Sequence, residues 1–98
     1  MSEVVVVRYR VKAEALERNI ELVRAVYDEL AEKAPSGFRY STSRVDERTF
    51  VHVAVLDGEE NPLDDVAAFR AFAADVAARC EEPPQVSRGD VVGTYPRG

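Results

Sequence analysis

The stretch RTFVHVAVLD (48–57) sets the chain's single histidine, His52, into an apolar, β-branched run. Imidazole changes protonation near neutral pH, so His52 is the candidate general base, or hydrogen-bond donor, toward a phenolic or carbonyl ligand. A structural role competes with that one: a histidine at a subunit interface, bonded to Ser43 or to its own symmetry mate. Arg8 and Arg10 stand two residues apart near the N-terminus. A guanidinium can bind carboxylate or phosphate through paired hydrogen bonds, or spend itself on Asp46, Glu47 or Asp57. Tyr9, Tyr27 and Tyr40 fit core positions with the hydroxyl at the boundary, or the wall of a small pocket between strand and helix. Phe69 and Phe72, at helical spacing, read as core. Cys80 reads as a small buried hydrophobe. Zinc spacings, glycine-rich phosphate loops, nucleophile elbows and calcium loops are absent from the sequence, so neither a metal nor a cofactor is implied.

These groups need a scaffold, and the chain's periodicities supply one. EVVVVRYRV (3–11) is β-branched and reads as a first strand. From Ala13 to Ala34 the period changes, with Leu16, Ile20, Val23, Tyr27 and Leu30 on one helical stripe before Pro35 and Gly37 end it. FRYSTSRV (38–45) and TFVHVAVL (49–56) form a hairpin. Asn61 caps a second helix running from Pro62 to about Arg79, with Val66, Phe69, Phe72, Val76 and Cys80 inward. A fourth strand spans 85–95, with a bulge at Gly89. The βαββαβ order predicts an α+β, ferredoxin-like sandwich occupying 1–98 as one domain: a four-stranded antiparallel sheet with both helices on one face.

One sheet face is then left without cover. Parity sends Val5, Val7 and Tyr9 of the first strand beneath the helices, and Val6, Arg8 and Arg10 to the open face. The uniform valines Val51, Val53 and Val55 belong under the helices, leaving Phe50, His52, Ala54 and Leu56 on the open face with Ser41, Ser43 and Val45. A hairpin loop of even length pairs Ser43 with His52 and Val45 with Phe50, in agreement. Arg8, Arg10, Ser43, Phe50 and Leu56 thereby become the candidate ligand-binding residues around His52. A mixed apolar and polar open face predicts a wet, cavity-like homodimer interface.

The totals restrict the partners. A formal net charge of -5 argues against nucleic acid, which requires a basic face. No apolar run reaches the ~20 residues of a membrane helix, and the N-terminus lacks the basic start of a signal peptide. A single cysteine fits a reducing, cytoplasmic setting.

RYRVKAE at the end of the first strand, SGFRY entering the second, and FVHVAVLDGEENPLDDVAAFRAF running into the second helix resemble the dimeric α/β-barrel superfamily, in particular its antibiotic biosynthesis monooxygenase-like branch. The resemblance implies a barrel of two facing sheets, with a pocket between sheet and helices in each subunit. It implies an activity as well, since some members oxidise aromatic polyketides without a cofactor and others degrade heme. The heme-degrading members use an asparagine on the first strand, a tryptophan ending the third, and a histidine on the second helix. Here Leu56 stands where that tryptophan is expected, and the second helix holds phenylalanines and no histidine, so heme degradation is not expected. The expectation is a homodimer that binds or oxidises a small aromatic molecule without a cofactor. The alternative is a non-catalytic binding or regulatory module with a structural His52.

Overall fold

The computed structural model describes residues 2–58 and 60–95; Met1, Glu59 and residues 96–98 lie outside the described residues. Strand β1 (Glu3–Arg10) leads through a 3-10 turn (Ala13–Ala15) into α1 (Leu16–Lys33). Strands β2 (Phe38–Arg44) and β3 (Thr49–Leu56) follow as a hairpin. A second 3-10 turn (Pro62–Asp65) precedes α2 (Ala67–Ala74) and the short α3 (Val76–Arg79), and β4 (Gln85–Asp90) closes the chain's sheet. All pairings are antiparallel in the order β2-β3-β1-β4, the ferredoxin-like arrangement that the element order predicts. No helix among the described residues is long and apolar enough to cross a membrane.

The face assignment of β3 is reversed from expectation. Phe50, His52, Ala54 and Leu56 are buried beneath the helices, whereas Val51, Val53 and Val55 lie on the open face with Val4, Val6, Ser41 and Ser43. The cause is the hairpin. Val45 N–H donates to the Thr49 carbonyl, leaving the three-residue loop Asp46–Arg48 where an even loop was expected. Asp46 holds it shut, its carboxylate accepting from the Arg48 and Thr49 backbone amides and from the Thr49 hydroxyl. Those bonds and the nearby Arg10 keep this carboxyl below the ordinary range. A shift of one residue moves every side chain to the other face, so His52 pairs with Thr42 and Ser43 with Val51.

Both helices also differ from the simple stripes. The deepest positions of α1 are Asn19, Leu22 and Val26, with the expected Leu16, Ile20, Val23, Tyr27 and Leu30 only partly buried beside them. The second helix is broken at Val66, which is extended, and again at Asp75. Asn61 caps the leading turn as expected, accepting from Leu63 N–H. Val66 has no side-chain oxygen to cap α2, and Glu29 of α1 serves instead, accepting from the Ala67 and Ala68 amides. Lys33 pairs with the same carboxylate at 2.9 Å. This borrowed cap ties α2 to α1 above the sheet.

At the far end, an isolated bridge joins Val11 to Cys80, and Lys12 N–H donates to the Arg79 carbonyl at 2.8 Å. The end of α3 is thus fastened to the end of β1. Strand β4 stops at Asp90 because its partner β1 runs out at Glu3, and Gly89 sits opposite Val4 in unbroken register, without the expected bulge.

The end of α1 is strained. Ala34 is left-handed at φ 43°, a conformation that an L side chain adopts only at a cost of ~1–2 kcal/mol. Glycine removes that cost but loses ~0.5–1 kcal/mol of chain entropy. Ala34→Gly is expected to raise unfolding free energy by up to ~1 kcal/mol, read as a higher urea midpoint with an unchanged slope.

Candidate functional site

His52 sits at the middle of β3, 4% exposed, with aromatic rings on several sides. Its ring centroid lies 5.2 Å from Tyr9 and 5.2 Å from Phe72, which α2 lowers onto the sheet. Both ring nitrogens are hydrogen-bonded. Nε2 lies 2.7 Å from the Tyr9 hydroxyl, while Nδ1 meets the Tyr40 hydroxyl and, at 3.1 Å, the Thr42 hydroxyl. Strand pairing brings these groups together, since Val7 and Thr42 flank His52 and Tyr9 and Tyr40 stand one residue pair away on the same face.

Behind Tyr9 lies a second polar layer. Asn19, wholly buried on α1, donates from Nδ2 to the Tyr9 hydroxyl at 3.0 Å. Its Oδ1 accepts from Arg79 Nε at 3.1 Å. Arg79 is itself buried, donating also to the Phe72 carbonyl at 2.8 Å and to the Asp75 carboxylate, with its guanidinium 5.1 Å from the Phe72 ring centre. Among the described residues no buried side-chain nitrogen or oxygen lacks a partner. Such a network is stable only when every member is satisfied.

This cluster borders a pocket of about 230 Å³ between the sheet and the second helical segment. Val5, Val7 and Ala54 form its floor, Phe69, Phe72 and Val76 its roof, and Val86 with Pro84 its outer rim. The polar groups at the wall are Tyr9, Tyr40 and His52, with Asn61 at the opposite end. An apolar cavity with a few converging polar groups is the ordinary form of a small-molecule site.

Burial sets the protonation states. It drives His52 down to about 4, so the ring is neutral at pH 7. It pushes the hydroxyls of Tyr9 and Tyr40 well above the ordinary tyrosine range, so both remain protonated. Tyr27, bonded to Thr42 at 2.8 Å, is raised for the same reason.

The six residues singled out from the sequence are not brought to one place. His52 lines the pocket; Phe50 is buried beside it, stacked on Tyr9 at 5.6 Å, and Leu56 is buried two pairs farther along β3. Arg8, Arg10 and Ser43 lie across the sheet on its open side. Arg10 is engaged there by Asp46 and Glu81, each at 3.4 Å. The expected His52–Ser43 pairing does not occur, because the three-residue hairpin places Thr42 opposite His52. Asn19 and Arg79 escaped notice. Their signal was positional, since Asn19 precedes Leu22 and Val26 by three and seven residues, and Arg79 follows Phe72 and Val76 by seven and three.

No family model matches the sequence, and no curated protein matches it. Solved structures do. A protein of unknown function from Nitrosomonas europaea superposes with a TM-score of 0.76 at 16% identity, covering 99% of this chain and 96% of that one. A candidate antibiotic biosynthesis monooxygenase from the same organism gives 0.73 at 22% identity, covering 99% and 94%. A third structure, another candidate antibiotic biosynthesis monooxygenase, from Caulobacter crescentus, gives 0.73 at 15%, covering 94% and 91%.

The neutral state of His52 has a measurable consequence. In the unfolded chain the ring takes up a proton near 6.5, but the native ring does so only near 4. Stability from this group is therefore complete above pH 6.5 and is lost as pH falls toward 4, by ~3 kcal/mol in total. Urea unfolding at pH 7 and at pH 4 should show that loss in the wild type, and His52→Gln should remove this component of it. The chain has the ferredoxin-like fold of these two candidate antibiotic biosynthesis monooxygenases.

Proposed function

We propose that the pocket beside His52 binds a small aromatic molecule and that the chain oxidises it without a cofactor, as a homodimer in the cytoplasm. The observation that carries this reading is the pairing of an apolar cavity of about 230 Å³ with one neutral imidazole and two tyrosine hydroxyls on its wall. Aromatic side chains above and beside the cavity suit a flat ring. A phenol entering it gives its proton to His52 by way of the Tyr9 hydroxyl, which stands 2.7 Å from Nε2. The imidazolium that forms is stabilised by the phenolate beside it, which offsets the burial that otherwise disfavours it. The electron-rich phenolate then reacts with O2. One phenol and one O2 give one quinone and one water.

A specific observation also favours the non-catalytic alternative. Both His52 nitrogens already have partners within the protein, as a purely structural core histidine would. In that reading the pocket binds a ligand and His52 only shapes it.

1-Naphthol separates these readings. Titration followed by NMR should perturb Tyr9, Tyr40 and Phe72, and oxygen uptake should accompany binding if the chain is an oxygenase. His52→Gln is expected to reduce that uptake by ~10²–10⁴-fold while binding persists. Binding without oxygen uptake favours the binding module, uptake unchanged in the variant removes His52 from the reaction, and no perturbation around the pocket removes both readings.

The homodimer rests on the open sheet face. Val4, Val6, Val51, Val53 and Val55 form a contiguous apolar surface, with Val45 more than half exposed beside it. Because His52 points the other way, this interface is drier than the mixed face expected from the sequence. Sedimentation should find a dimer at micromolar concentration, and Val53→Glu should convert it to a monomer that remains folded. A wild-type monomer excludes the assembly.

A further inference from the structure

The hydrogen bonds behind His52 have a direction, and it begins at Arg79. A guanidinium has only donors and does not deprotonate. Its Nε points at the Asn19 side chain at 3.1 Å, so the atom it meets is the amide oxygen. The amide nitrogen must then face Tyr9, and an amide nitrogen only donates. The Tyr9 oxygen is thus an acceptor toward Asn19. Tyr9 is 3% exposed, and the acceptor 2.7 Å from its oxygen is Nε2 of His52. Were Nε2 to carry a hydrogen, two donors would converge on one oxygen and the phenolic hydrogen would have no acceptor among the side chains around it.

We infer that Arg79, acting through Asn19 and Tyr9, fixes neutral His52 as the Nδ1-protonated tautomer, with Nε2 the bare nitrogen. Arg79 and Asn19 are positioning residues: neither lines the pocket, and Asn19 reaches it through Tyr9 and Arg79 through Asn19 and Phe72. Nδ1–H then donates toward Tyr40 and Thr42. Arg79 keeps its own orientation because the Phe72 carbonyl, the Asp75 carboxylate and the Phe72 ring hold the rest of the guanidinium. The tautomer belongs to the ligand-free protein. Its catalytic meaning, a proton entering at Nε2 by way of Tyr9, rests on the function proposed above.

Asn19→Asp tests the direction with almost no change of shape. A carboxylate beside Arg79 has no hydrogen to give, so Tyr9 must donate to it, and His52 must supply a hydrogen from Nε2. Long-range proton–nitrogen spectra of histidine-labelled, ligand-free protein at pH 7 distinguish the two nitrogens. The wild type is expected to show Nδ1 protonated and Nε2 bare, and Asn19→Asp to show the reverse. A wild-type ring protonated at Nε2 overturns the inference, as does a folded Asn19→Asp protein with the wild-type pattern. If Asn19→Asp does not fold, Tyr9→Phe takes its place: loss of the pure Nδ1-protonated pattern supports the inference, and its retention overturns it. None of these spectra depends on naphthol binding or oxygen uptake, so failure of the proposed activity leaves this result standing on its own.

Discussion

A guanidinium inside a domain of this size must be matched group by group, because an unpaired buried charge costs far more than any one contact in the core contributes. Arg79 meets that demand with partners from three places: Asn19 on α1, the Phe72 carbonyl in α2, and Asp75 between α2 and α3. Its backbone is fixed as well, through the bond from Lys12 at the end of β1. The helix layer is therefore held over the sheet by polar bonds in addition to apolar packing, and the break at Asp75 lies within this arrangement. Asn19 passes the connection to Tyr9, and Tyr9 to His52. The polar wall of the pocket is the far end of a chain that starts at a buried cation.

The cavity itself follows from how the second helical segment is built. The sequence predicts one continuous helix from Pro62 to Arg79. Instead Val66 is extended, Glu29 supplies the missing cap, and α2 covers only eight residues. Beneath it, Ala54 occupies the position between the larger His52 and Leu56 on β3. A small residue under a shortened helix leaves room, and Phe69, Phe72 and Val76 make the room apolar. The carboxylate of Glu29 is held well below its ordinary range, first by Lys33 and then by the amides it caps, so it stays charged where α2 needs it.

The strand order and the two helical regions were legible in the sequence because strands and helices carry different hydrophobic periods. The pocket between sheet and helices was legible through the family resemblance and through Tyr9 and Tyr40, whose amphipathic rings fit its wall. Which face of β3 turns inward was not, and the reason is physical. Valine suits a core and an exposed β surface equally well, so an all-valine face carries no sign. The decision fell to the hairpin, whose length depends on one aspartate gathering two amides and a hydroxyl. Phe50 and Leu56, the largest apolar groups of β3, were the better guides to the buried face. Asn19 and Arg79 were passed over for a related reason. A polar residue on an apolar helical stripe looks like a flaw in the pattern until a matching polar residue on another element is found.

The one-residue difference in the hairpin also separates two properties that the sequence seemed to join. With His52 on the open face, ligand chemistry and subunit contact would share one surface, and a change in either would disturb the other. With His52 inward, the polar chain and the pocket lie on one side of the sheet while the valines lie on the other. Side chains on the two faces meet only through the backbone of β1 and β3, which the strand ladders make stiff. An assembly through the valine face would therefore add no residue to the wall beside His52. The groups hydrogen-bonded to His52, directly or through Tyr9, all belong to the same chain.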